Sequence, residues 1–86
     1  MPALTITESG GRVRLALGGI ARGEGSSLQD AADELVSSIL RLVLALRSSG
    51  FRMSSEMPAD LETMSFLHEL GEIAAAGGDI RARVFA

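Results

Sequence analysis

A histidine and a glutamate lie in a spacing that could contribute two ligands to a metal ion. Residues 68–72, HELGE, begin like the helical zinc-protease motif, in which a second histidine follows the first by four residues and both bind zinc. This chain has Glu72 at that position, which excludes the metalloprotease motif. His68 and Glu72 still lie one helical turn apart and could supply two ligands. A surface pair is the commoner meaning of this spacing, and we predict one here.

Two glycines precede a predicted helix and could form a phosphate-binding turn. Gly23 and Gly25 would expose backbone N–H groups at the helix start, where an anion is favoured. The third glycine of the dinucleotide fingerprint is replaced by Leu28, and Asp30 and Asp33 would repel a phosphate. We therefore interpret both glycines as residues that a turn requires.

Nucleophilic catalysis has little support in the sequence. The chain has no cysteine and one histidine, so His68 would have to serve any hydrolytic arrangement, and no triad can be recognised from residue order. We expect no enzyme activity, no cofactor and no bound metal. A small metal-dependent or hydrolytic enzyme centred on His68 is the weakest alternative.

Four of the eight arginines lie in two segments that alternate like half-buried strands. Arg12 and Arg14 alternate with apolar residues in one segment, and Arg81 and Arg83 do so in the other. Strands put alternate side chains on opposite faces, so these arginines would share the outer face of a sheet. Such a face could bind a nucleic-acid backbone or an acidic protein. A merely solvated face is the commoner case, and the absence of Trp and Tyr weakens base stacking.

The elements that position these residues predict an α+β domain. Two strands, 3–8 and 12–17, flank a Ser-Gly-Gly turn and form a hairpin. A short third strand is predicted at 20–22, a helix capped by Ser27 at 28–49, and a brief strand at 51–53. A second helix from 58–60 to Gly77 and a terminal strand from Ile80 complete the chain. The order is ββ(β)-α-(β)-α-β, a small antiparallel sheet with both helices on one face and one domain over 1–86.

The first predicted helix is more apolar than one small sheet can cover. Its main stripe has alternating spacings of four and three residues. A second set widens that stripe, and it needs its own partner, which is either the second helix or another subunit. The main stripe consists of Leu28, Ala32, Leu35, Ile39, Leu42 and Leu46, and the second set of Val36, Leu40, Val43 and Leu44.

Size and composition favour self-association. A chain of 86 residues with 47% hydrophobic residues has a marginal core and much apolar surface to cover. Disulfides and a thiolate zinc site are excluded as sources of added stability, which leaves oligomerisation. We predict a non-catalytic interaction module, homodimeric, with a possible protein partner. Nucleic-acid binding through the arginines is the alternative.

Charge and hydropathy indicate a cytoplasmic protein. The net charge of −3 gives no general attraction to nucleic acid or to an anionic membrane. The N-terminus has no signal-peptide pattern. The most apolar run, 35–46, is shorter than the roughly 20 residues of a spanning helix. We predict no membrane segment.

Residues 21–32, ARGEGSSLQDAA, followed by an apolar helix ending at Ser49 and Gly50, resemble the strand-to-helix passage of HicB-like proteins. In that family a glycine-bearing turn leads into a Ser/Thr-x-x-acid-Ala helix start. The resemblance covers about residues 4–51, with LGGI at 17–20 where the family has a proline-glycine segment. It implies a small antiparallel sheet backed by a helix, self-association, and binding to a partner as antitoxins bind toxins. No site residue carries over.

Overall fold

The computed structural model describes residues 3–48 and 61–85, and its architecture is α+β, as predicted. A three-stranded antiparallel sheet is followed by a long helix and a second helix. The short strand predicted at 51–53 lies outside the described residues. The elements are β1 (Leu4–Ser9), β2 (Arg12–Leu17), β3 (Ala21–Gly25), α1 (Leu28–Ser48), α2 (Leu61–Ala75) and α3 (Arg81–Val84). The residues fall into two compact units, with the boundary inside α1 between Ile39 and Leu40.

The N-terminal unit is built from two consecutive hairpins in the order β1-β2-β3. Gly10 and Gly11 both have positive φ, 55° and 76°, as a two-residue type I′ turn requires. Gly18, with φ 53°, begins the turn between β2 and β3. The predicted hairpin and bend are confirmed, and the third strand is longer than predicted because it continues through Gly25.

Strand β2 alternates as the sequence predicts. Val13, Leu15 and Leu17 are buried, whereas Arg12 and Arg14 are exposed. The apolar face of the sheet is therefore the face of Leu15, and the arginines lie on the opposite face.

Helix α1 begins with the predicted cap. The hydroxyl of Ser27 accepts a hydrogen bond from the backbone N–H of Asp30 at 3.1 Å, and Ser26 donates to the Asp30 carboxylate at 3.0 Å. The bond to Ser27 satisfies a backbone donor that the first helical turn otherwise leaves unpaired. The main apolar stripe is confirmed in its middle, but Leu28 is exposed. The buried residues of α1 are Ala31, Leu35, Val36, Ile39, Val43 and Leu46.

The C-terminal unit contains the end of α1 together with α2 and α3. Helix α2 buries Phe66, Leu67, Leu70 and Gly71, whereas Leu61 at its first position is 83% exposed. Arg47 near the end of α1 is 3.5 Å from the carboxylate of Glu72 on α2, so the second helix lies against the end of the first.

The predicted terminal strand is wrong, because residues 81–84 form the short helix α3. Ile80 and Val84 are buried and Ala82 is exposed, which is the i, i+4 spacing of a helix and not the period of a strand. The carboxylate of Asp79 accepts a hydrogen bond from the backbone N–H of Arg81 at 2.9 Å. This local bond closes a turn immediately before α3, where an extended strand was predicted.

Candidate interaction surfaces

Gly23 and Gly25 let α1 lie directly against the backbone of β3. A Cβ atom added at Gly23 would be 2.3 Å from the backbone nitrogen of Leu35, and one added at Gly25 would be 2.4 Å from the Cβ of Asp30. Both glycines lie inside β3. The interpretation of these glycines as turn residues is therefore wrong, and close approach of a helix is the reason for them.

One row of residues across the sheet shows how unevenly α1 covers it. Leu15 on β2 pairs with Gly23 on β3 and with Ile6 on β1, so all three share the apolar face. Gly23 is in contact with the helix backbone, Leu15 is 1% exposed, and Ile6 is 59% exposed. Strands lie about 4.8 Å apart and a helix is about 10 Å wide, so a helix seated on β3 and β2 leaves β1 uncovered.

Strand β1 also presents an open edge. It pairs only with β2 in the described sheet, and Gly18 donates its backbone N–H to the carbonyl of Ala3 at 2.8 Å. Peptide groups alternate in direction along an antiparallel strand. Because the carbonyl of Ala3 faces β2, the N–H and C=O groups of Leu4, Ile6 and Glu8 face outward, away from β2.

The two edge strands differ in how they discourage pairing with another chain. Natural edges are blunted by charges, prolines, bulges or short length. Strand β3 carries Arg22 and Glu24 at its outward-facing positions and two glycines that weaken a strand. Strand β1 has six consecutive paired residues, LTITES, with Glu8 as its one charge. Within residues 3–48, its edge is the less protected of the two.

The outer face of the sheet carries Arg12, Arg14 and Arg22. Arg14 and the Glu24 carboxylate are 2.6 Å apart, whereas Arg12 and Arg22 make no ion pair within the described part of the chain. An open depression of about 340 Å³ is lined by Arg14, Ala16 and Arg22 together with the turn at 18–21. The face is thus positive although the chain is acidic.

Arg81 and Arg83 do not extend this face through a terminal strand, because they lie on α3 in the C-terminal unit. Arg83 forms an ion pair with Glu69, and its guanidinium lies 4.9 Å from the centre of the Phe66 ring. The predicted four-arginine sheet surface is wrong for these two residues. The contacts of Arg83 hold α3 against α2.

The second apolar set of α1, which was predicted to need its own partner, contains both buried and exposed residues. Val36 and Val43 are buried, Leu40 is half-buried, and Leu44 is 58% exposed. Leu44 is therefore the member of this set that is available to another molecule.

His68 lies on α2 with its imidazole Nε2 3.8 Å from the carboxylate of Glu72, and both side chains are more than half exposed. This is the geometry of the predicted surface pair. Within residues 3–48 and 61–85, no three His, Asp or Glu side chains are grouped closely enough to hold a metal ion.

Ile6 and Arg22 are surface residues that were not predicted from the sequence. The alternation of β1 predicts that Ile6 lies on the apolar face of the sheet. It does not predict how much of that face the helix covers. Arg22 follows Gly18 and Gly19, and its face depends on the length of that turn. The signal that could have found Ile6 is the pair of glycines on β3, which places the helix at the far edge.

Comparisons with models of protein families, with curated proteins and with solved structures found no significant match. The resemblance to HicB-like proteins therefore stays a prediction. Among the helices at 28–48, 61–75 and 81–84, none has the length and apolarity needed to cross a membrane.

Proposed function

We propose that this chain is a non-catalytic protein-interaction module that acts as a homodimer. The observation that carries the proposal is the β1 edge, which combines outward-facing backbone groups with an isoleucine that is 59% exposed. An edge of this kind is a template for pairing with another strand. A cytoplasmic location, predicted from the sequence, belongs to the same proposal.

The surroundings of His68 support the non-catalytic part. Catalytic acids and bases are usually tuned by burial and by close partners. His68 and Glu72 are exposed side chains separated by 3.8 Å, so water screens both groups. A pair of this kind is typical of a helix surface.

Sedimentation velocity at increasing protein concentration tests the proposal. We expect a species with twice the 9.0 kDa mass of one chain to appear in the micromolar range and to dissociate on dilution. A monomer at every concentration up to the solubility limit would refute self-association.

An antitoxin-like or accessory role is a specific form of this proposal, and it comes from the HicB-like resemblance. Such a protein would bind a small toxin while self-associated. Co-expression with the product of an adjacent small gene, followed by purification through a tag on one chain, tests this form. We expect the two chains to purify together at constant stoichiometry, and separate elution would contradict it.

Nucleic-acid binding is the second candidate, and it is favoured by the outer face of the sheet. Three arginines share that face, and one of them is neutralised by Glu24. A phosphate backbone would bind such a face with a steep dependence on salt. We expect Arg22→Ala to reduce the slope of the logarithm of the binding constant against the logarithm of salt concentration by about one phosphate contact. Arg41→Ala on α1 is the control. No binding at low salt would eliminate this function.

A further inference from the structure

We propose that the dimer forms by antiparallel pairing of β1 with β1 of a second copy. The two-fold axis of this dimer passes between the two Ile6 residues. This inference rests on the proposed function and names its interface. The product is one continuous sheet of six strands, three from each copy, with both first helices on the same face.

The hydrogen bonds of β1 determine the register. Leu4, Ile6 and Glu8 direct their peptide groups outward, as shown by the bond from Gly18 to Ala3. Centring the pair on Ile6 places Ile6 opposite Ile6 and Leu4 opposite Glu8 of the second copy. All three outward N–H groups of each copy then find a carbonyl. A shift by one pair of residues leaves one of the three outward-facing residues without a partner on the other β1.

The side chains fit the same register. The two copies of Ile6 meet on the face that α1 leaves uncovered, so the exposed apolar surface is buried. On the outer face Thr5 lies opposite Thr7 of the second copy, a favourable cross-strand pair. The charges also fit, because the two Glu8 side chains lie at opposite ends of the interface and no like charges meet.

A second copy fits this edge better than head-to-tail pairing of β1 with β3. Strand β3 has two outward-facing residues, Arg22 and Glu24, because its other three positions bond to β2. Pairing between unlike edges would also leave a free edge at each end and would propagate into a filament. Pairing of two β1 strands closes after two copies. The interface is small, so we expect dissociation in the micromolar range.

Single cysteines test the register directly, because the natural chain has none. Thr5 and Thr7 are exposed and would form non-hydrogen-bonded pairs across the interface, where the Cα separation of about 4.5 Å suits a disulfide. We expect an equimolar mixture of Thr5→Cys and Thr7→Cys chains to form disulfide-linked dimers at least about fivefold faster than either variant alone. Faster linkage of either variant by itself would establish another register and overturn the proposal.

Lysine substitutions at three similarly exposed apolar residues test the location. Ile6, Leu28 and Leu44 are 59%, 55% and 58% exposed. Two lysines facing each other at the two-fold axis repel, so Ile6→Lys is expected to raise the dimer dissociation constant at least about tenfold. Leu28→Lys and Leu44→Lys are expected to leave it within about twofold, since they lie outside β1. Circular dichroism of each variant confirms that the chain remains folded.

The outcomes separate this inference from the proposed function. A dimer that survives Ile6→Lys and dissociates with Leu44→Lys would overturn the β1 interface and keep the homodimer, now through the α1 face predicted from the sequence. A natural chain that remains monomeric would overturn both. Loss of the dimer with Ile6→Lys alone, together with cross-linking in the mixture, would confirm the pairing.

Discussion

The two edges of the sheet have opposite environments on the same face. At β3 the helix is so close that a single methyl group at Gly23 would collide with its backbone. At β1, two strands away, Ile6 is more than half exposed. One helix seated on the edge of a three-stranded sheet therefore stabilises that edge and leaves the opposite one available for another molecule.

The covered edge is the more sensitive of the two edges to substitution. Gly23→Ala would force α1 away from β3, because its Cβ would lie 2.3 Å from the Leu35 nitrogen and 2.4 Å from the Ala31 oxygen. We expect the free energy of unfolding to fall by about 3 kcal/mol or more, measured by urea denaturation. Gly19→Ala is the control, since nothing lies within 4 Å of a Cβ there, and it should cost under about 0.5 kcal/mol. A cost below about 1 kcal/mol for Gly23→Ala would show that the helix can move.

Truncations along the row from Gly23 to Ile6 measure how far across the sheet the helix covers the apolar face. Leu15→Ala removes a fully buried side chain and should lower the free energy of unfolding by about 2–5 kcal/mol. Ile6→Ala removes an exposed one and should cost under about 1 kcal/mol. Both are measured by denaturation at a protein concentration low enough to keep the chain monomeric. Equal losses would mean that β1 is covered as well as β2.

The cap of α1 holds the start of the helix next to the end of β3. Ser27→Ala removes the acceptor for the Asp30 N–H and should cost about 1 kcal/mol, measured by thermal denaturation. Ser26→Ala is the matched control because Ser26 donates to an exposed carboxylate, and a smaller cost is expected. Reversal of the two values would place the cap at Ser26.

The ion pair between β2 and β3 contributes least. Arg14 and Glu24 are both partly exposed, and such pairs are worth about 0–1 kcal/mol. A double-mutant cycle with Arg14→Ala and Glu24→Ala should give a coupling energy below about 1 kcal/mol that decreases with added salt. A larger coupling unaffected by salt would contradict the exposed geometry.

The parts of the fold that were predicted correctly from the sequence are those with local causes. The turn at Gly10 and Gly11 and the cap at Ser27 depend on residues within four positions of each other. The role of Gly23 was missed because it depends on a helix eight to twelve residues later. The terminal strand was predicted wrongly because Ile80 and Val84 satisfy both periods, and Asp79, a residue that favours turns, was the available signal.

The candidate site was only half predictable for the same reason. The alternation of apolar and charged residues in β2 predicted correctly that Arg12 and Arg14 lie on the outer face, because this prediction needs only the two-residue period of a strand. The exposure of Ile6 depends on where α1 lies across the sheet, and no local pattern contains that distance.

The consecutive order of the strands has a consequence for folding kinetics. The connecting turns contain two and three residues, and hairpins with such short connections form in about 1–10 µs. The longer-range contacts of this unit are therefore those between α1 and the two hairpins. During synthesis β1 and β2 also leave the ribosome before α1. The open edge thus belongs to a hairpin that is synthesised before α1, so neighbouring nascent chains can meet through β1 before that helix has formed.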